Sequence, residues 1–391
     1  MTDRFRWHPE ARLYDSAGAE VPAGCRPSPA GAIFPDSPRG LGAAIGHPAF
    51  RIGAADQPPP DPHSQPVLET LTSGSTGQAR RIRRTQASWT ASFAVNATLG
   101  IGPGARVATL GRLVHSLSLY GAVEGLHLGA QVHLLADLRP DRQRAALGDR
   151  RITHLYATPA QLRLLDGPGT LPDLRLILIG GSKLDPALRA RVASLAPNAR
   201  IREFYGAAET SFITLADETT PDASVGSAFP GVEITLDPGG EVWVRSPYLF
   251  LGYASPTAPV SHGTRWRDGW LSVGEIGALK NGYLSLKGRA GRMVTIADQN
   301  VFPEEIEALL HTLPGVIRAA VLAIPDPKRG HALVAILQGD PTAEAAILMA
   351  LRKGLGPLKA PKALIWQADW PVLASGKTDL RALEAALTWP V

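Results

Sequence analysis

LTSGSTGQARR, Leu71–Arg81, is a run of glycine, serine and threonine that ends in two arginines. Glycines free the backbone to curl its N–H groups around an anion, and the hydroxyls add donors. That chemistry suits phosphate. The spacing is not G-x-x-x-x-G-K-[ST], so the loop is not the P-loop of the NTPases. No lysine follows the glycines; Arg80 and Arg81 do. Two questions follow: which phosphate the loop holds, and what supplies the remaining positive charge.

Outward from the loop, the chain alternates short apolar runs with helical stretches. RVATLG and AQVHLLAD read as strands with a helix-like segment, Leu117–Leu128, between them; ITHLYATP and LRLILIGG read as two more. Short apolar runs ending in turn residues, each followed by a helix, predict a doubly wound parallel α/β sheet. Residues 1–66, rich in Pro and Gly and ending in QPPPDPHSQP, read as loops, edge strands and a linker. Beyond about Thr220, alternation with Pro-Gly turns predicts a small antiparallel β-barrel or meander, with Asn281-Gly282 as a hairpin turn. PEEIEALLHTL opens a helix with Pro303 in its first turn. A boundary near Gly288–Arg292 divides a large domain, 1–288, from a small α+β domain, 289–391.

Hydrophobic content of 45% with 19% charged residues is that of a folded globular chain. No run approaches the ~18 apolar residues of a membrane span, and MTDRFRWHPEARLYD lacks a signal-peptide core. A single cysteine, Cys25, excludes an internal disulfide. These features predict a cytoplasmic protein with no membrane partner. The net charge of +5 does not point to nucleic acid, since RRIRR (Arg80–Arg84) is the only dense basic run and no basic-aromatic motif accompanies it. Eight lysines stand against thirty-two arginines, so a lysine inside a motif is set apart from background.

Four further motifs follow the loop in order: EFYGAAETSF (Glu203–Phe212), DGWLSVGEIG (Asp268–Gly277), LKGRAGRMVTIADQNVFPEEIE (Leu286–Glu307) and PVLASGKTDLRAL (Pro371–Leu383). Together they resemble the adenylate-forming superfamily of acyl-CoA and aryl-CoA synthetases, adenylation domains and luciferases. The resemblance runs from about Val67 to Leu383 and extends to the 4-coumarate–CoA ligase type. It implies ATP, Mg²⁺ and CoA, or the phosphopantetheine of a carrier protein, with a small mobile C-terminal domain that carries the catalytic lysine. A carboxylate attacks the α-phosphate of ATP to give an acyl-adenylate and pyrophosphate, and a thiol then takes the acyl group. Attack of an anion on phosphate is opposed by charge repulsion, so catalysis rests on positioning and neutralisation.

The same resemblance implies roles for individual residues. Thr72, Ser73, Gly74, Ser75, Thr76 and Gly77 match the loop on the β- and γ-phosphates, with Thr76 also near the metal and Arg80 in place of the usual lysine. Tyr205 matches the aromatic that stacks on adenine, Gly206 the position where backbone approaches the nucleotide, and Glu209 the Mg²⁺ carboxylate. Gly180, Gly181 and Ser182 match a loop beside adenine and the acyl pocket. Glu275 keeps the carboxylate that grips the ribose, and Arg289 resembles a second ribose contact. Lys377 matches the catalytic lysine that reaches the carboxylate and α-phosphate; an ammonium is a compact point charge suited to bridging oxygens.

The chain also departs from the pattern. Ala208 stands where a threonine is usual, Glu275 where an aspartate is, Gly291 at the hinge, and Asp298 where a glycine lines the pantetheine tunnel. Asp298 leaves open whether the acceptor is CoA or the phosphopantetheine of a carrier protein, and the three departures at 208, 275 and 298 also allow a degenerate, non-catalytic nucleotide-binding or acyl-binding module. The region before the loop is short for the family, which reads as a compact member. In RLVHSLSLYG (Arg112–Gly121), His115 and Ser116 mark the acyl pocket; with no aspartate there, an aryl or hydroxycinnamic acid is favoured and a medium-chain fatty acid comes next. His115 reads equally well as a gate or packing residue.

Overall fold

The computed structural model describes residues 4–24, 28, 30–53, 55–72, 80–254, 264–296, 299–326, 330–373 and 377–387. Two compact units emerge, one from residues up to 234 with 244–254, the other from 235–243 with 264–387.

In the first unit, parallel strands lie in the spatial order Arg200–Ala207, Leu176–Ile179, His154–Ala157, Arg106–Thr109, Gln131–Leu134 and Arg12–Tyr14. Each strand's alternation sends neighbours to opposite faces. Ala108, Leu155, Ala157, Ile177 and Ile179 meet the helices Pro140–Asp149, Pro159–Leu164 and Pro186–Leu195 through Leu147, Leu162, Leu188 and Val192. On the other face the helix Ser116–Leu128 presents glycines where a strand side chain comes close. A Cβ at Gly121 would lie 2.6 Å from the Tyr156 ring, and one at Gly125 2.6 Å from Val132. The sheet is doubly wound, as its apolar runs predict. From Arg106–Thr109 the chain passes to Gln131–Leu134 on one side and then returns to His154–Ala157 on the other. The strand order reverses there, and in such sheets ligands bind outside the carboxyl ends at the reversal.

Residues 1–66 contribute more than loops and edge strands. Arg12–Tyr14 and Glu20–Val21 do finish the edge of the main sheet, but Ala49–Ile52 is buried throughout and lies inside a second, five-stranded sheet. Its order is Gly252–Tyr253, Arg81–Thr85, Val67–Leu71, Ala49–Ile52 and Ala32–Phe34. Cross-strand neighbours Arg51 and Glu69 form an ion pair at 2.9 Å with side chains 2% and 5% exposed. The basic run RRIRR is largely interior as well, with Arg81 7% and Arg84 1% exposed. The arginine-rich composition conceals this, because burial of a charge depends on partners far away in the chain.

One buried acid carries a pH prediction. Glu124, 0% exposed, accepts hydrogen bonds from Asn96 Nδ2 (2.9 Å), Tyr120 Oη (2.9 Å) and Tyr156 Oη. Burial pushes its pKa up to about 7, against the opposing pull of those hydrogen bonds. A raised carboxyl pKa stabilises the fold fully below the unfolded value and loses that contribution as pH rises through the folded one. The wild-type protein should therefore lose about 1.4 kcal/mol per pH unit from this group across the interval up to about pH 7. Denaturant unfolding of wild type and Glu124→Gln between pH 5 and 8 tests it; a constant difference between the two across that range refutes it.

The second unit holds the antiparallel hairpins Arg265–Arg267/Trp270–Ser272 and Glu275–Lys280/Tyr283–Arg289. Asn281 (φ 52°) and Gly282 (φ 81°) make the second turn, both with the positive φ of the tight hairpin. Beyond them, Val316–Asp326, Gly330–Gly339 and Ala363–Trp366 form a three-stranded sheet. Helices Pro303–Leu310 and Glu344–Lys359 share its core through Ile306, Leu310, Ile347 and Leu351. Glu304 and Glu305 occupy the first turn of the helix that opens at Pro303, where the macrodipole favours acids. The chain is thus a mixed α/β protein with large sheets and a small C-terminal α+β domain.

Candidate active site

Parallel topology places several motif residues at one edge of the first unit's sheet. The loop Leu110–His115 follows Arg106–Thr109, Gly180–Ser182 follows Leu176–Ile179, and Tyr205 to Glu209 lie at the end of Arg200–Ala207. The second sheet joins this edge: Leu71 N donates to Val114 O at 3.3 Å, and Thr70 Oγ1 and Ser116 Oγ are 2.9 Å apart. The phosphate-loop strand and the acyl-pocket segment are therefore neighbours.

Ser73, Gly74, Ser75, Thr76 and Gly77 lie outside the described residues, but the neck of their loop is on view. Thr72 N donates to Arg80 O at 2.7 Å, and Arg80 N donates to Thr72 Oγ1 at 2.9 Å. Arg80's guanidinium lies 5.0 Å from the ring centroid of Tyr253, within cation–π range. Tyr253 Oη in turn donates to Glu209 Oε1 at 2.9 Å. A chain of contacts thus connects the foot of the loop to the Glu209 carboxylate.

Glu209 sits in the turn between the strands Arg200–Ala207 and Ser211–Ala216. Thr210, fully buried, accepts from Ala207 N through Oγ1 at 2.9 Å, and Phe250 N donates to Glu209 O at 2.8 Å. The register shifts between Tyr205 and Gly206, and a Cβ on Gly206 would lie 1.7 Å from Ser211 O. The glycine is thus required by its own hairpin, whatever else approaches it. Gly206→Ala is expected to cost about 3 kcal/mol, the order of an overpacked core, and to be read by denaturant unfolding. Wild-type stability in that variant would contradict the bulge.

His115 ends the loop that precedes helix Ser116–Leu128. Asp36 fixes that loop, accepting from Leu113 N (3.0 Å) and Arg112 Nε (2.9 Å). Burial lowers the His115 pKa, opposed by the Asp36 carboxylate, so the imidazole is neutral at pH 7. Gly181, at φ 101°, and Ser182 are exposed past the strand end, and Tyr205 is half-buried.

In the second unit Glu275, 8% exposed, and Arg289 face each other across a hairpin, with Arg289 Nε donating to Glu275 Oε1 at 2.9 Å. Arg289 is thus a paired residue at the end of a strand. Gly291 lies in a 3₁₀ turn, Ala290–Arg292, with open space around a Cβ. The Lys377 carbonyl accepts from Leu373 N at 2.8 Å, beside the bridge Val372–Thr378. Asp298 lies outside the described residues.

Among the described residues no group of three or more His, Cys, Asp or Glu could hold a metal. One carboxylate still fits Mg²⁺, which keeps several waters and is held by one or two carboxylates together with substrate phosphates. Residues that the motifs did not single out but that meet the Glu209 turn are Arg84, Phe250 and Tyr253. No local spacing announces them, since each meets the turn through the fold.

A model of the AMP-binding enzyme family matches residues 8–254, and a model of the AMP-binding enzyme C-terminal domain matches 305–377. The chain is 32% identical over 340 residues to "Uncharacterized acyl--CoA ligase YhfT" of Bacillus subtilis (strain 168), covering 83% of this chain and 69% of that protein. It is 30% identical over 316 residues to "Putative long chain fatty acid-CoA ligase VraA" of Staphylococcus haemolyticus, covering 78% and 67%. The fold superposes on the amide bond synthetase McbA from Marinactinospora thermotolerans with a TM-score of 0.72 at 25% identity, over 87% of this chain and 76% of that one. Fold and matched segments define an adenylate-forming ligase. More particularly, the chain belongs to the AMP-binding enzyme family.

Proposed function

We propose that this protein activates a carboxylic acid with ATP as an acyl-adenylate and transfers the acyl group to the thiol of CoA. The observation that carries the reading is the meeting of the phosphate-loop neck, the Glu209 turn and the His115 loop in a chain of this family. In the first half-reaction a carboxylate oxygen bonds to the α-phosphorus while the bond to the bridging oxygen of the leaving pyrophosphate breaks. In the second, the thiol sulfur bonds to the acyl carbon and AMP leaves. Thr72 and Arg80, with the loop between them, hold the β- and γ-phosphates. Tyr205 stacks on adenine, Gly206 lets the backbone approach, Glu275 and Arg289 hold the ribose, and Lys377 neutralises the approaching anions. Glu209 holds Mg²⁺, which when bound neutralises phosphate charge.

His115, Ser116 and Ser182 line the acyl pocket on this reading. A neutral imidazole beside a hydroxyl suits an aryl or hydroxycinnamic acid. The acyl-chain alternative draws support from the relative's name as a fatty acid–CoA ligase. A carrier-protein acceptor stays a second reading because of Asp298. The division at 288/289 into a large domain and a moving C-terminal one belongs to the same proposal, as does a cytoplasmic location. Among the described residues no helix is long and apolar enough to cross a membrane.

Pyrophosphate release across a panel of aryl and C6–C18 fatty acids, with and without CoA, tests the reading. Release with thioester formation supports it, whereas release with no thioester on CoA points to a carrier protein. No release with any acid would leave a non-catalytic binding module.

A further inference from the structure

Arg84 lies on the strand Arg81–Thr85 of the second sheet, which follows the phosphate loop, and is 1% exposed. Its Nη1 donates to Tyr248 O at 3.1 Å and Ser88 Oγ at 3.2 Å, its Nη2 donates to Ala208 O, and its plane lies 5.4 Å from the Trp89 ring centroid. Nε finds no partner among the described residues. Burial lowers its pKa to about 10, opposed chiefly by the Glu209 carboxylate, so it is charged at neutral pH. A buried guanidinium whose direct acceptors are all neutral is expensive, and such a group persists where the fold supplies compensation.

The two carbonyls identify what it holds together. Ala208 O belongs to the peptide immediately before Glu209. Tyr248 begins the segment whose Phe250 N meets Glu209 O and whose Tyr253 Oη meets the Glu209 carboxylate. These two pieces are distant in sequence, 124 and 164 residues from Arg84. One planar fork joins them, a geometry that a lysine's single ammonium cannot reproduce.

We propose that Arg84 is the positioning residue for Glu209: it clamps the 208 turn to the 248–253 segment and so aims the carboxylate at the Mg²⁺ of bound MgATP. This rests on the reading of Glu209 as the Mg²⁺ carboxylate. The test is calorimetric titration of ATP into the full chain, in MgCl₂ and in EDTA, with no acid present. The readout is the gain in ATP affinity that Mg²⁺ confers. Wild type shows such a gain; Arg84→Met loses about tenfold of it and Arg84→Lys about fivefold, with affinity in EDTA held within about twofold. An unchanged gain in either variant overturns the proposal, as does an equal loss in EDTA, which would mark a purely structural role. If Arg84→Met does not fold, Arg84→Lys alone decides. Glu209→Gln is titrated alongside. If it keeps the full gain, or if wild type shows none, the Glu209 reading has failed. If it loses the gain while the Arg84 variants keep theirs, only the Arg84 inference has.

Discussion

Lys377→Ala is expected to lower pyrophosphate release by about 10²–10³-fold, the order seen when one preorganised charge-stabilising group is removed. The same variant should consume a preformed acyl-adenylate with CoA at close to the wild-type rate. The two half-reactions differ in what opposes them. In the first, a carboxylate approaches a phosphate and both are anionic, so a cation between them lowers the barrier. In the second, a thiol attacks a carbonyl already activated by its leaving group. Three contacts around Lys377 are made without its side chain. Leu373 N binds the Lys377 carbonyl, Trp370 Nε1 donates to Thr378 Oγ1 at 3.1 Å, and Asp379 caps helix Leu380–Ala386 through Ala382 N at 3.1 Å. Alanine should therefore fold normally. Pyrophosphate release at the wild-type rate would remove Lys377 from the mechanism.

Glu209→Gln comes second, with an expected loss of about 10²-fold in pyrophosphate release that extra Mg²⁺ recovers in part. Glutamine keeps the size of the side chain and an oxygen that can accept from Tyr253, so the turn built by Thr210 and Phe250 survives. What is lost is the negative charge that a hard cation requires. Rate measurements over a Mg²⁺ titration separate charge from shape. A loss that no concentration of Mg²⁺ relieves would point to the turn's geometry instead, and no loss at all would sink the metal assignment.

Much of the fold was legible along the chain. Each apolar run between turn residues became a strand of the doubly wound sheet, and Leu117–Leu128 lies within the helix Ser116–Leu128. Asn281-Gly282 made its hairpin because both positions take positive φ, which asparagine and glycine tolerate. Residues 1–66 are less legible. Ala49–Ile52 contains an arginine, and partners outside its own strand, the Glu69 carboxylate and the Gln57 carbonyl, allow it to be interior. The candidate site was legible as motifs but not as a geometry. Asp36, Arg84, Phe250 and Tyr253 belong to no motif, and each acts by meeting a residue at least forty positions away.

By itself, the sequence determined the main elements from Val67 onward, their order and the family, because periodicity, turn chemistry and motif spacing are properties of short stretches. The tertiary structure alone decided what each charge does. It placed the run RRIRR largely in the interior, set Arg289 against Glu275, and gathered two distant segments around Glu209. The physical reason is that a charge can be buried only where carbonyls or carboxylates converge on it. Those partners come from separate strands, and only the folded chain brings them together.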